Sequence, residues 1–385
     1  AAAARRVRQL VADAAARVPG DGPEATDLVP LESGRLDDLR LDLEALLVRH
    51  LADLRAGAER VPEDPVLELY FTFARFHDVA RMAHPPDAAA PDPAFDVIAS
   101  RGPSGPRLLL LCKDPSRPLG AVLNAAAATV GMSATLTPPE FYRDLLGLDR
   151  DRTDVLRLPS PFPRENRAVF VAADVDTSFA ARTRDAPRLA AVVAEVAAAC
   201  PGNVLALFPS YRFLDDVRAR LPALPGRRVL RPADRSTELE RSAALAALRD
   251  GGPPVLLLAV SGGAFAEGVD YPGEMLSAVV VVSPALPQVR FEQERMRQYF
   301  EERFEKGFEY AYVVPGMTRV IQSAGRLIRS ESDTGVVVLA CRRFLREPYR
   351  RYLPADWYGD DPAELLSTSV GADTAAFFAK VGSPR

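Results

Sequence analysis

Apolar residues in this chain change their period part-way along. Through roughly residue 95 they recur at helical spacing: Leu36, Leu39, Leu43, Leu46, Leu47 and Leu51 line one stripe, and a second helix follows Pro65 with Tyr70, Phe71, Phe73 and Phe76. Pro85 to Pro93 reads as a Pro/Ala/Asp linker. Beyond it the texture becomes short, continuous apolar runs. Leu108–Cys112 predicts a buried strand and Ala126–Met132 a second, ending at Ser133-Ala134-Thr135-Leu136. Thr137-Pro138-Pro139-Glu140 then signals a helix start: a capping Thr, Pro in the first turn, and Glu three residues on.

After a linker over 151–167, strands and helices alternate. Strands are predicted at 168–173, 203–208, 227–231, 255–260, 277–282, 310–314 and 335–341, and helices at 186–199, 211–221, 237–249, 288–305 and 318–329. Unbroken apolar strands separated by helices imply a parallel sheet covered on both faces. In such a sheet, chemistry gathers at the carboxyl ends of the strands.

Four segments there stand out. Phe208-Pro209-Ser210-Tyr211-Arg212 follows one strand, and Ser261-Gly262-Gly263 through Glu267-Gly268-Val269-Asp270 follows another. Backbone N–H groups of that Gly-rich loop suit a phosphate or a nucleic-acid backbone. The Ser133–Leu136 turn is the third. The fourth is Gln322-Ser323-Ala324-Gly325-Arg326-Leu327-Ile328-Arg329. Wound as a helix at about 100° per residue, it gathers Val320, Ile321, Ala324, Leu327 and Ile328 on one side. Gln322, Arg326 and Arg329 then fall within an arc of roughly 60° opposite, two guanidiniums and an amide aimed one way. That equips a surface to grip polyphosphate and stabilise its developing charge. Taken singly, each segment also has a plain structural use: a tight turn at Gly262-Gly263, a helix cap at Ser210, a packing turn at 133–136, a solvated face for the octad.

Composition narrows the field. A length of 385 residues suggests two or three domains, and the net charge of −4 announces no basic nucleic-acid binder, although a local groove remains open. Lys occurs only at 113, 306 and 380, a bias that matches a GC-rich genome. Cys112, Cys200 and Cys341 lie far apart without C-x-x-C, and the three His are not spaced as ligands, so a metal site within this chain is not expected. No apolar run is long enough to span a membrane. The chain opens on Ala in mid-helix, and a piece of something longer is expected.

In this order and spacing the segments resemble the XPD/DinG family of superfamily 2 DNA helicases over residues 70–355. Gln322-x-x-Gly325-Arg326-x-x-Arg329 is similar to helicase motif VI, and Glu267-Gly268-Val269-Asp270 with Tyr271-Pro272-Gly273 to motif V. Phe208-Pro209-Ser210-Tyr211 is similar to motif IV and Ser133-Ala134-Thr135-Leu136 to motif III. Asp174-Val175-Asp176-Thr177, with Arg182 downstream, resembles the opening of the second motor domain.

The resemblance implies an α/β, RecA-like, doubly wound parallel sheet preceded by an all-helical arch-type segment. It divides the chain into 1–104 (arch portion), 105–150 (closing strands of motor domain 1) and 151–385 (motor domain 2). It implies Arg326, Arg329 and Gln322 at the nucleotide, with Gly268, Asp270, Glu267, Ser133 and Thr135 coupling nucleotide state to DNA grip. Ser210, Tyr211, Arg212, Gly262 and Gly263 become the DNA contacts. ATP and Mg²⁺ are the implied cofactors, single-stranded DNA and an N-terminal motor domain 1 the partners, and the bacterial cytoplasm beside the nucleoid the location. No G-x-x-x-x-G-K-[ST] and no Asp-Glu-x-His occur in the 385 residues. The family's phosphate cradle, Mg²⁺ ligand and frequent iron–sulfur cluster are therefore expected in a preceding part. Cys341 stands where family members often have Asp, which puts any carboxylate–Arg pairing there in doubt. Two other functions stay in view: a motor-less nucleic-acid-binding or interaction module on the same fold, and an unrelated α/β transferase with a Gly-rich site.

Overall fold

The computed structural model describes residues 2–20, 25–57, 63–267, 269, 271 and 273–382. Two compact units emerge, each threaded by several stretches of chain.

The first unit comprises 1–129, 143–151 and 289–303. Its helices α1 (Ala2–Ala16), α2 (Ser33–Arg55) and α3 (Pro65–Ala83) realise the predicted helical stripe. Leu10, Leu36, Leu39, Leu43, Phe73 and Ala80 form their shared core. Asp64 starts α3 by accepting the amides of Val66 and Leu67, at 2.9 and 3.3 Å, just ahead of Pro65. The unit also contains two strands, β1 (Thr26–Leu28) and β2 (Phe95–Gly102), within the 1–104 segment expected to be helical. Strand β1 pairs antiparallel with β2, which pairs as a hairpin with β3 (Gly105–Cys112), the strand predicted at 108–112. Leu108 and Leu110 of β3 pack on the helical core, so the helices borrow one face of this small sheet.

Helices α4 (Ser116–Leu123) and α5 (Pro139–Leu146) follow. The buried carboxylates Asp96 and Asp114 flank the end of the hairpin and bind side chains of α9 (Phe291–Phe304, of which residues to 303 belong here). Asp96 accepts from Lys113 Nζ at 2.6 Å and from Arg295 Nε at 2.7 Å, while Asp114 accepts from Tyr299 at 3.0 Å and pairs with Arg303 at 2.9 Å. Burial pushes the Asp96 carboxyl up, but the hydrogen bonds and charges of Arg295 and Lys113 prevail and hold it below its usual range.

The second unit comprises 130–142, 152–288 and 304–385. Its seven-stranded sheet is parallel throughout, in the order β10-β4-β9-β8-β5-β7-β6. The strands are β4 (Arg167–Ala172), β5 (Val204–Phe208), β6 (Arg228–Leu230), β7 (Val255–Val260), β8 (Ala278–Val282), β9 (Gly335–Ala340) and β10 (Leu366–Ser367). Helices α6 (Arg182–Ala199), α7 (Tyr211–Arg218) and α11 (Val370–Val381) cover one face, meeting Val204, Ala206 and Phe208. Helices α8 (Glu238–Arg249) and α10 (Val314–Ala324) cover the other, meeting Leu205 and Leu207. Alternate residues thus serve opposite cores, which is why the strands read as unbroken apolar runs. The doubly wound α/β fold expected from the sequence is the fold observed.

Two predicted strands differ. Residues 310–314 are helical: Glu309–Val313 form a π-helical turn leading directly into α10. A short, fully buried run of Tyr, Ala and Val has no amphipathic period, so its contacts decide its state. Here Tyr310 meets Phe141 edge-on at 4.9 Å and Phe304 in a tilted arrangement at 5.4 Å. Residues 126–132 are irregular, with Val130 and Met132 at 80% and 85% exposure. A strand needs a partner ladder for its backbone groups, and none of the described strands pairs with this one. Among the described residues no helix is long and apolar enough to cross a membrane.

Asn203 staples the amino end of the parallel sheet. Its Nδ2 donates to the carbonyls of Leu248 (2.8 Å) and Met275 (2.9 Å), and its Oδ1 accepts from Val255 N–H (2.8 Å). Asn203→Leu strands three backbone groups and is expected to cost about 2–4 kcal/mol, read as a lower urea midpoint. An unchanged midpoint would remove the staple from the account. For Asp96, whose folded pKa lies below that of the unfolded chain (~3.9), the stabilisation is present above that unfolded value and is lost as pH falls through the lower folded one. Urea unfolding followed into acid is therefore expected to show a steep loss of stability that Asp96→Asn flattens.

Candidate functional site

Helix α10 buries Met317, Val320 and Ala324 and leaves Gln322 exposed, as its pattern requires. It does not continue to Arg329. The helix ends at Ala324 with Gly325 as its cap, and Leu327 N–H returns to Ala324 O at 3.2 Å. Leu327 and Ile328 are driven into the core at 2% and 6% exposure. The amides of Arg329 and Ser330 both donate to Asp333 Oδ2 at 2.8 Å. That buried carboxylate offers two charge-assisted bonds where a continued helix offers neutral carbonyls, and glycine at 325 weakens the helix further. The expected 60° arc is thus replaced by a capped helix followed by an anchored turn.

Three of the predicted segments still meet. Gln322 Nε2 reaches Thr135 Oγ1 at 3.5 Å, and Thr135 is itself fixed by its N–H on Ser133 Oγ at 3.1 Å. Tyr142 and Thr318 approach at 3.5 Å, so the 130–142 segment lies along α10. Arg326 Nη1 donates to the carbonyl of Val269, which sits inside the Gly-rich segment. Arg326 Nε is buried and has no hydrogen-bond partner in the protein. Arg329 is exposed. Gly268 and Asp270 lie outside the described residues.

The loop after β7 is tightly wound. Gly262 has φ +77°, the left-handed region that glycine enters freely. A Cβ on Gly263 would stand 3.0 Å from Val260 O, so a side chain there would require the backbone to give by a few tenths of an ångström. Ala266 and Glu267 amides return to Gly263 O at 2.9 Å, and buried Phe265 and Ala266 pin the loop. Glu267 is exposed and its carboxylate lies near Gly262. Ser261 Oγ is a second buried polar atom without a partner. Beside the loop is a cleft of about 180 Å³ lined by Tyr211, Asp234, Arg235, Val260, Gly263 and Phe265.

Ser210 caps α7, its Oγ accepting from Phe213 N–H at 3.3 Å. Tyr211 donates to Asp234 O at 3.1 Å with Arg231 over its ring at 5.1 Å, and Asp215 and Asp234 hold Arg231 in turn. Ser210 and Tyr211 are thereby committed to local structure, with only the Ser210 hydroxyl proton left to donate. Arg212 is exposed and carries no ion pair among the described residues.

A further network was only half legible. Thr177 Oγ1 donates to Cys341 Sγ at 3.0 Å, Arg342 pairs with Asp176, and Arg343 Nη2 donates to Ser283 Oγ at 2.8 Å. Ser283 adopts φ +76°, a strained value for a residue with a side chain. The sequence flagged Cys341 and 174–177 separately. That the thiol receives a hydrogen bond across two parallel strands depends on β4 lying beside β9.

Comparison with known proteins bears on this geometry. Residues 193–359 match the family of the helicase C-terminal domain. A probable ATP-dependent helicase of Methanocaldococcus jannaschii is 28% identical over 249 residues, 60% of this chain and 36% of that protein. The ATP-dependent DNA helicase DinG of Photobacterium profundum is 29% identical over 59% of this chain and 33% of its own length. The XPD helicase subunit of the general transcription and DNA repair factor IIH of Dictyostelium discoideum is 24% identical over 71% of this chain and 40% of that protein. This chain thus spans about a third of the length of these relatives. A solved XPD helicase shares the fold, with TM-score 0.57 at 21% identity over 92% of this chain and 60% of that one. Residues 193–359 thus carry the helicase C-terminal domain, and the chain as a whole is similar to helicases of the XPD/DinG type.

Proposed function

We propose that this chain is the C-terminal portion of an ATP-dependent DNA helicase that moves 5′ to 3′ on single-stranded DNA in the bacterial cytoplasm. The observation that carries the proposal is the convergence of Gln322 on Thr135 and of Arg326 on Val269, which joins the segments similar to motifs III, V and VI in one unit. On this proposal residues 1–104 belong to an arch, 105–150 close motor domain 1, and 151–385 are motor domain 2.

Arg326 Nε, buried without a protein partner, fits an anionic group, and Arg329 stands exposed on the turn beyond it. ATP supplies the phosphoryl group, and these two guanidiniums bind its outer oxygens and stabilise the charge that spreads over them as water attacks. Gln322 orients polar groups beside them. The residues present do not fit a Mg²⁺ cage: among the described residues no cluster of three or more His, Cys, Asp or Glu side chains occurs. Metal ligands, the Walker cradle and any iron–sulfur cluster are assigned to the motor domain 1 partner. Ser133 and Thr135 sense the Gln322 side of the nucleotide, and Glu267, Gly268 and Asp270 pass its state to the loop at Gly262 and Gly263. That loop, the Ser210 hydroxyl and Arg212 grip the DNA backbone, and Tyr211, its hydroxyl given to Asp234 O, holds the segment in place.

In the helicase formed with a Walker-bearing motor domain 1, Arg329→Ala is expected to lower DNA-stimulated ATP hydrolysis about 10³-fold or more while changing single-strand affinity only a few-fold. Parallel loss of both would move Arg329 into folding or DNA binding. Affinity of the 385-residue chain for single-stranded DNA is expected to fall log-linearly with salt, and a flat dependence would exclude a phosphate-gripping groove.

A further inference from the structure

We propose that Phe179 is a stacking platform for one unpaired nucleobase, backed by Arg182. This deepens the nucleic-acid function proposed above and depends on it. Phe179 is 84% exposed, an unusual position for a large aromatic ring. It does not sit on a slack loop. Val175, Asp176 and Thr177 before it and Ala181 after it are buried. Thr177 is tied to Cys341, and Asp176 to Arg342 and, at 2.9 Å, to the Ser178 amide. The Asp176 amide is held by Asp185 Oδ2 at 2.9 Å, and Ser178 O accepts from Ala181 and Arg182 amides at 3.1 and 2.8 Å. The segment is fixed on every side and raises one apolar ring into solvent.

The ring is supported from one face. The Arg182 guanidinium lies 4.4 Å from the Phe179 centroid and 6.0 Å from that of Phe213. Phe213 is buried and meets Phe208 edge-on at 6.4 Å, so the stack Phe213–Arg182–Phe179 is rooted in the sheet core. No carboxylate forms an ion pair with Arg182 among the described residues. The other face of Phe179 is open. A flat, cation-backed ring accepts any base without sequence preference, and the positive charge of Arg182 favours the phosphate of the same nucleotide.

The surroundings argue against a protein-docking patch. Over 174–184 the other exposed residues are Asp174, Ala180, Thr183 and Arg184, so only one small methyl extends the apolar contact. The loop also leaves the carboxyl end of β4, the same strand-end side as the Gly262–Gly263 loop after β7 and Ser210–Arg212 after β5. A strand tracking those loops passes this side of the unit.

The test measures binding of the 385-residue chain to oligothymidylate and to an abasic sugar-phosphate strand of equal length, both at low salt. Phe179→Ala is expected to weaken oligothymidylate binding about 5- to 100-fold, Phe179→Trp to retain it, and abasic binding to be indifferent to both. Because the ring is exposed, Phe179→Ala should keep the wild-type urea midpoint. Equal weakening on both strands, or no weakening on either, overturns the platform. Loss of self-association in Phe179→Ala without any effect on oligothymidylate overturns it in favour of protein docking. Failure of the wild-type chain to bind either strand sinks the nucleic-acid function itself.

Discussion

Burial of the seven-stranded sheet on both faces governs what this molecule can do. Leu205 and Leu207 serve one core while Val204, Ala206 and Phe208 serve the other, so neither face has room for a ligand. Polar chemistry is confined to the loops that leave the strand ends. The parallel sense of every strand then sends the loops after β4, β5, β7 and β9 to one side. Residues separated by more than a hundred positions become neighbours without any dedicated contact to bring them together.

The turn that follows α10 carries this furthest. Leu327 and Ile328 plunge into the core, Asp333 takes the amides of Arg329 and Ser330, and Arg326 crosses to Val269. Two apolar anchors and one buried carboxylate thus fix the backbone that carries both arginines. A continuous helix would present the same arginines on one face but fix them to its axis. The capped turn leaves Arg326 half-buried, with its Nε enclosed, while Arg329 is exposed.

The end of β9 is tied to the loop after β4 by two contacts: Thr177 donates to the Cys341 sulfur, and Arg342 pairs with Asp176. Sulfur accepts a hydrogen bond weakly, so Asp176 carries most of the tie through its pair with Arg342.

The sequence by itself determined most of the parallel sheet, because strands buried on both sides must be apolar throughout and the helices between them cannot be. It also determined the Gly262–Gly263 turn, the cap at Ser210 and the segments that meet at the strand ends, since each rests on a backbone requirement that few residue types satisfy. Only the tertiary structure decided the rest. Tyr310–Val314 became helical because buried aromatic contacts outweigh strand propensity in a run with no period. Residues 126–132 formed no strand because a ladder needs a second strand. The octad stopped being a helix at Gly325 because Asp333, four residues past Arg329, outbid the helical carbonyls. The exposure of Phe179 was set by the fold, which buries Val175, Asp176, Thr177 and Ala181 and leaves that ring outside. Local preference is written residue by residue, whereas pairing, capping across a turn and exposure are decided by groups distant in the chain.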